Sequence, residues 1–271
     1  MAAALVSLRP VRDRPAESAQ VVVAAASAPA TSLVVGDRIV HMRGLGPPAT
    51  DRLLSRVATN IGAAIGAVVA FWGVDWSRDI SVVAAGTEQE FRVAAGGGPA
   101  SQWDDIAAVT VAQHVDPVRR VAIGQRIVFA PGAVRMSSTA LRMVLAHEVF
   151  HYAARVDTAL DAPRWLTEGV ADFVARPYPA NIRTGAVAVP AALRLPSDAD
   201  LDAPGPQRSS AYDRAWWFAR FVADTYGPAK LRQFYLAACG VGRSELSVAI
   251  REVLDTDAAG LLAHWRQWLT R

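Results

Sequence analysis

The sequence predicts an α+β protein, with an N-terminal lobe on a mixed β-sheet that ends in a helix near 138–155, followed by a mostly helical C-terminal lobe. Three observations predict it. Short runs rich in valine and isoleucine recur between residues 31 and 130, bounded by glycine, proline and aspartate, which is the pattern of strands. From Ser138 onward apolar residues recur at three- and four-residue spacing instead, the period of an amphipathic helix. Hydrophobic residues make up 52% of the chain and charged residues 20%, enough apolar surface to close a core and too little charge for a disordered polymer. At 271 residues the chain is one large or two small domains. Composition divides it into a loosely ordered Ala, Val, Pro and Arg-rich segment at 1–30, an α/β lobe at 31–155 and a helical lobe at 156–271.

Element by element, "SAQVVVAAAS" within the first segment reads as a strand. "SLVVGDRIVHMRG" alternates about Gly36 and Asp37 and predicts a hairpin. A long helix follows from about Ala49 to Trp72. "DISVVAAG" reads as a buried strand, Glu88 to Val93 as a short helix, and Gly96 to Pro99 as a loop; this glycine run lacks the strand-to-helix context of a phosphate cradle. "DIAAVTVAQ" and "QRIVFAP" are two further strands, split by a turn at Asp116 and Pro117. Beyond residue 208 four helices are expected, starting near Ser209, Pro228, Ser244 and Asp257. The Pro and Gly-rich stretch 177–208 is long for a structureless loop, a length associated with functional lids.

The stretch "LAHEVFHYAARVDTALDAPRWLTEGVADF", Leu145 to Phe173, holds two of the five histidines. His147 and His151 are four apart on a helix that Ser137, Ser138 and Thr139 can cap, with no glycine or proline inside. Residues four apart lie one turn apart on one face, so both imidazoles can reach one ion at about 2.0–2.1 Å. Glu148 is rotated off that line, where a general base beside the activated water belongs. A second helix, Trp165 to Ala175 after Pro163, carries Glu168 and Asp172, again four apart. Packed across the first, it offers Glu168 as third ligand and Asp172 as acceptor for the spare N–H of a ligand histidine, which fixes the ring's tautomer. Two histidines and one glutamate leave a fourth position open, as a catalytic zinc site requires.

These residues resemble the gluzincin metallopeptidases, the thermolysin-like group with His-Glu-x-x-His and a downstream Glu. More narrowly, "PRWLTEGVADF" is similar to a run in the peptidase MA-like families of bacteria. The resemblance implies a zincin-like fold, one Zn2+ per chain held by His147, His151 and Glu168, Glu148 as base, and Asp172 turned toward His147. It implies a peptide or protein substrate, and a substrate strand at the sheet edge over Gln125 to Ala130, with Val128, Phe129 and Ala130 in contact. Gluzincins add a Tyr or His from the C-terminal lobe to hold the oxyanion. Tyr212, expected in the first turn of the helix near Ser209, is the candidate, ahead of Tyr178, Tyr226 and, more distantly, His264. The Gly-x-Met-Glu-Asn motif of the gluzincin aminopeptidases is missing, which points to an endopeptidase. Two alternatives stay open: an inactive peptidase-like binding module, and a zinc hydrolase of non-peptide amides.

Charge excludes other classes. The net charge is +3, and Lys230 is the one lysine among 28 basic residues. The arginines are scattered and form no stripe interleaved with aromatics, which excludes a nucleic-acid surface. "IGAAIGAVVAFWGV", Ile61 to Val74, is 14 residues long, short of the ~20 needed to span a bilayer, and is expected to be a buried core helix. The N-terminus lacks the pattern of a signal peptide. Similar families often carry an N-terminal anchor, so membrane attachment is expected only through a segment outside this chain. Cys239 alone can form no internal disulfide and leaves the compartment open. His41, His114, Trp216 and Trp217 are expected to be packing or surface residues.

Overall fold

A computed structural model describes residues 30–46, 48–103, 106–176 and 193–270. The predicted strand at 18–27 and the first sixteen residues of the 177–208 stretch lie outside them.

The chain opens with the expected hairpin. β1 (Thr31–Val35) and β2 (Arg38–Gly44) pair antiparallel, with Thr31 opposite Met42 and Val35 opposite Arg38. Gly36, at φ 60°, makes the turn, a conformation glycine adopts without steric penalty. β2 alternates buried and exposed side chains along its length, so Val40 and Met42 face the core while His41 faces outward and contacts Ser32 and Asp79. The chain then crosses through α1 (Ala49–Trp72) to β3 (Asp79–Ala84), which lies parallel to β2.

The five-stranded sheet has the order β1-β2-β3-β7-β4. β7 (Arg126–Phe129) is parallel to β3 on one side and antiparallel to β4 (Ala108–Val111) on the other. This corrects one expectation. The strand over Gln125 to Ala130 is interior, with both backbone edges hydrogen-bonded, and Val128 and Phe129 are fully buried. On this side the edge strand is β4, the "DIAAVTVAQ" strand. A second hairpin, β5 (His114–Asp116) with β6 (Val121–Ile123), stands where the sequence shows only a turn. Its strands are three residues each, below the length at which alternation is readable.

Each face of the sheet is covered. On one side lie α1 and α3 (Ser138–Ala154); on the other, α2 (Glu88–Ala94) and a single 3-10 turn at Ala100–Gln102 close a smaller core around Phe91, Trp103 and Val128. α1 is 24 residues long and contains an 18-residue window of mean hydropathy 1.5, long and apolar enough to cross a membrane by length and composition. In this fold it buries Leu53, Val57, Ile61, Ala64, Ile65, Val68 and Trp72, one face at helical spacing.

The C-terminal part is helical: α4 (Arg164–Ala175), the short α5 (Asp198–Leu201), α6 (Pro206–Tyr226), α7 (Pro228–Cys239), α8 (Leu246–Leu254) and α9 (Ala258–Leu269). One apolar cluster runs from Val40 to Leu269 through both parts. Edge-to-face rings join them: Tyr235 of α7 meets Trp72 of α1 at 5.2 Å and Phe150 of α3 at 5.7 Å, a geometry worth about 0.5–1.5 kcal/mol per pair beyond area burial.

Candidate metal centre

α3 begins where the sequence places it. The Ser137 hydroxyl accepts the Ala140 N–H and caps the helix. α4 lacks a cap of its own, because Pro163 precedes it. Asp198 of α5 supplies one from outside, its Oδ1 accepting the Trp165 N–H at 2.8 Å. A carboxylate there satisfies an orphan donor and the helix dipole together.

α4 also crosses α6 at very close range. A Cβ built on Gly169 would meet the Ala215 carbonyl oxygen at 2.5 Å and its carbon at 2.8 Å. Only glycine permits that approach, and it sets the depth at which neighbouring Glu168 is held.

The crossing brings the predicted ligands together. One donor atom each from His147, His151 and Glu168 lies within 4.8 Å of the others. The two histidine Nε2 atoms are 2.9 Å apart, His147 Nε2 is 3.2 Å from Glu168 Oε2, and His151 Nε2 is 3.5 Å from Glu168 Oε1. A tetrahedral zinc ion with ligands at 2.0–2.1 Å holds them about 3.3 Å apart, within the range found. Glu168 Oε2 is buried and has no hydrogen bond, its 3.2 Å approach to His147 lacking the angle for one. An orphaned carboxylate oxygen beside two imidazole nitrogens is an anomaly in a protein interior and fits a cation held by these three residues.

Asp172 lies against His147. His147 donates Nδ1–H to Asp172 Oδ1 at 2.9 Å, which turns Nε2 toward the ligand cluster. The other oxygen, Oδ2, accepts from Arg176 Nη2 at 2.6 Å. Arg176 in turn donates to Asp213 of α6 at 2.8 Å and lies over the Trp216 ring at 4.8 Å. Arg176 is four residues on from Asp172, a spacing that is itself a local signal for the pair.

Glu148 is fully buried beside the cluster. Thr110 of β4 donates to its Oε2 at 2.7 Å and contacts its backbone carbonyl at 2.9 Å, while Oε1 has no partner. Thr110 sits 38 residues away, beyond any local signal. Burial pushes the Glu148 carboxyl up against the opposing pull of both histidines and Thr110. In the metal-free chain burial drives His147 down, but the Asp172 and Glu168 carboxylates win and hold it up at about 10. Burial likewise opposes ionisation of Glu168, and the two histidines outweigh it, leaving that carboxyl at about 2.

Of the cluster, His147 lines a cleft of about 1340 Å³, together with Asp172, Ala107, Ala130 and Met143. Ala130 thus reaches the cleft, whereas Val128 and Phe129 are not in its lining. Tyr212 is not there either. α6 begins at Pro206, three residues before its expected start, so Tyr212 falls in the second turn, 4% exposed within the core; the cleft instead receives Ser209 and Asp213, on another face of the helix. Tyr226 and His264 bond to each other at 2.9 Å on the helical lobe. Tyr178 lies outside the described residues.

A family model described as the eCIS core domain matches residues 98–159. This is less than a quarter of the chain, covering β4, β7 and α3 with both histidines but ending before Glu168. A solved structure of a two-domain M1 zinc metallopeptidase variant bound to L-arginine is 18% identical, with a TM-score of 0.42 over 90% of this chain. The chain spans about half that protein, 51%, and a likeness at this distance carries no argument. No curated protein matches the sequence significantly.

Proposed function

We propose that this chain is a zinc-dependent peptidase of the gluzincin type that cleaves within peptide chains. The observation that carries the reading is the donor set: two imidazole nitrogens and one orphaned carboxylate oxygen converge within 4.8 Å, beside a second buried glutamate whose Oε1 is unpartnered. A purely structural site has no use for that second carboxylate.

His147, His151 and Glu168 would hold the ion. When bound, zinc supplies a Lewis acid that brings the pKa of water toward about 7. Thr110 fixes Glu148 through Oε2 and leaves Oε1 to accept a proton from the attacking water. The raised affinity of Glu148 for protons suits that task at neutral pH. As the water oxygen bonds to the carbonyl carbon and the C–N bond breaks, Glu148 returns the proton to the leaving amine. Asp172, braced by Arg176, keeps His147 in the ligating tautomer.

The cleft favours a polymeric substrate over a small amide. At about 1340 Å³ it exceeds the ~300–1,000 Å³ of small-molecule pockets. β4 ends the sheet next to Glu148, and an extended peptide can add to such an edge through backbone bonds.

The test is metal analysis joined to turnover. Protein purified without chelator should carry about one zinc per chain and cut a denatured protein substrate. Glu148→Gln should keep the zinc and lose nearly all turnover, since it removes the base and not a ligand. Wild-type turnover in Glu148→Gln, or full zinc content in His151→Ala, would reject the reading.

A further inference from the structure

We propose that the end of the cleft remote from the metal ligands is a subsite for a carboxylate of the substrate, held by Arg92 and Arg135. The chain then selects peptides with an acidic group four to five residues from the bond that is cut. The inference rests on the peptidase reading for what enters the cleft; the subsite itself stands on the following observations.

One face of α3 forms a cleft wall. Ser137, Ala140, Met143, Val144 and His147 all line it, at the three- and four-residue steps of a single helix face. Ten residues separate Ser137 from His147, which at about 1.5 Å per residue is about 15 Å along the axis. An extended peptide advances about 3.3 Å per residue, so this distance corresponds to between four and five residues of substrate.

At that far end the chain places cations. Arg135 ends the 3-10 turn Pro131–Arg135 just before α3. Its guanidinium lies along Gly132, with Nη2 3.6 Å from where a Cβ on that glycine would stand, and both residues line the cleft. Arg135 makes no hydrogen bond or ion pair with any described residue. Arg92 comes from α2, which leaves the sheet at the same end, because β3 and β7 are parallel and Ala84 is in register with Phe129. One Arg92 nitrogen, Nη2, bonds to Gln89, while its Nε is buried without a partner.

Among the described residues, the charges around these two groups leave a surplus. Glu88, one turn before Arg92 on α2, also lines the cleft and forms no ion pair with either arginine. At the other end Asp172, Arg176 and Asp213 satisfy one another. Among the described residues lining this end, two arginines stand against one glutamate. A guanidinium with free donors in a cleft wall that also holds Trp103, Ile106 and Met143 suits a carboxylate at the end of a peptide's apolar run.

The test uses zinc-loaded full chain and internally quenched peptides of one sequence. Asp, Asn or Lys is placed four or five residues to either side of the cut bond, with amidated termini. A parallel set carries no acidic side chain and ends in a free or an amidated carboxyl at the same distance. The wild type should cut its best Asp peptide about tenfold more efficiently by kcat/KM than the Lys counterpart, the size of one charge-assisted hydrogen bond. Arg135→Glu should invert that ratio and Arg92→Glu should narrow it. A preference confined to the free-carboxyl set would assign the subsite to chain ends; one seen with Asp in amidated peptides assigns it to side chains. Equal cutting of Asp, Asn, Lys, free and amidated peptides, or an unchanged ratio in Arg135→Glu, overturns the subsite and leaves the peptidase reading standing. Binding of the same peptides to zinc-loaded Glu148→Gln, read by fluorescence anisotropy, separates the converse. Acidic peptides that bind in an Arg135-dependent way but are never cut by the wild type support the subsite and reject the peptidase. Peptides neither cut nor bound reject both.

Discussion

Replacing Gly169 by alanine should destabilise the protein and weaken the proposed metal site, although alanine is the better helix former. Two effects oppose. Within a helix, Gly to Ala gains about 1 kcal/mol in intrinsic propensity. Against this, the new Cβ would stand 2.5 Å from the Ala215 oxygen, about 0.9 Å inside the 3.4 Å where ordinary contact begins. The neighbour is backbone, so no rotamer change relieves the overlap and α4 must move from α6. Overpacking of this kind costs about 1–3 kcal/mol, and the upper part of that range applies when the obstacle is a carbonyl. The net effect is a loss of about 1–2 kcal/mol, or about 2–8 °C in Tm at about 2–4 °C per kcal/mol for a domain of roughly this size. The motion also carries Glu168, the adjacent residue, and ligand distances must hold to within about 0.2 Å. Zinc affinity should therefore fall at least about tenfold. Thermal melts by circular dichroism, with and without zinc, and competition against a chelator read both quantities. A Gly169→Ala protein that melts at or above wild type would refute the argument, because the propensity gain would then have outweighed the clash. A lowered Tm with unchanged zinc affinity would mean that α6, not α4, gives way.

The bracing of His147 and the proton it holds give three further predictions. Asp172→Ala should weaken zinc binding about 10–100-fold; Arg176→Met should reproduce the lower part of that loss and Arg176→Lys restore some of it, since Arg176 acts through Asp172 Oδ2. Equal zinc affinity in Arg176→Met and wild type would reduce Arg176 to a helix-pairing role. In the metal-free chain His147 is held at about 10 against an ordinary 6.5, so its contribution to stability is complete below 6.5 and is lost as pH rises toward 10. Glu168, held at about 2 against 4.5, contributes above 4.5 and loses that contribution as pH falls toward 2. The metal-free protein should thus be most stable from about pH 4.5 to 6.5 with respect to this pair. Zinc must displace the His147 proton, so uptake at pH 7 should release about one proton and tighten about tenfold per pH unit. Calorimetry in buffers of different ionisation enthalpy measures this, and binding without proton release would contradict it.

What the sequence determined by itself was local. His147 and His151 share a face because four residues are nearly one helical turn; Ser137 caps because its hydroxyl reaches an N–H three residues on; Gly36 turns the first hairpin because it tolerates positive φ. Glu168 and Asp172 were legible for the same reason, and only their meeting with α3 awaited the fold. The tertiary structure decided everything that depends on chain segments far apart. Strand order moved the sheet edge from Val128 and Phe129 to β4, since alternation along a strand says which face is buried but not which neighbour pairs. Tyr212 went into the core while Ser209 and Asp213 took the cleft side, because packing, and not a residue's distance from the helix start, sets which face of α6 meets the cleft. Thr110 on Glu148, Asp198 at the start of α4 and the carbonyl of Ala215 against Gly169 leave no local trace. Each is a contact whose partner is chosen by packing, and packing is a property of the whole chain.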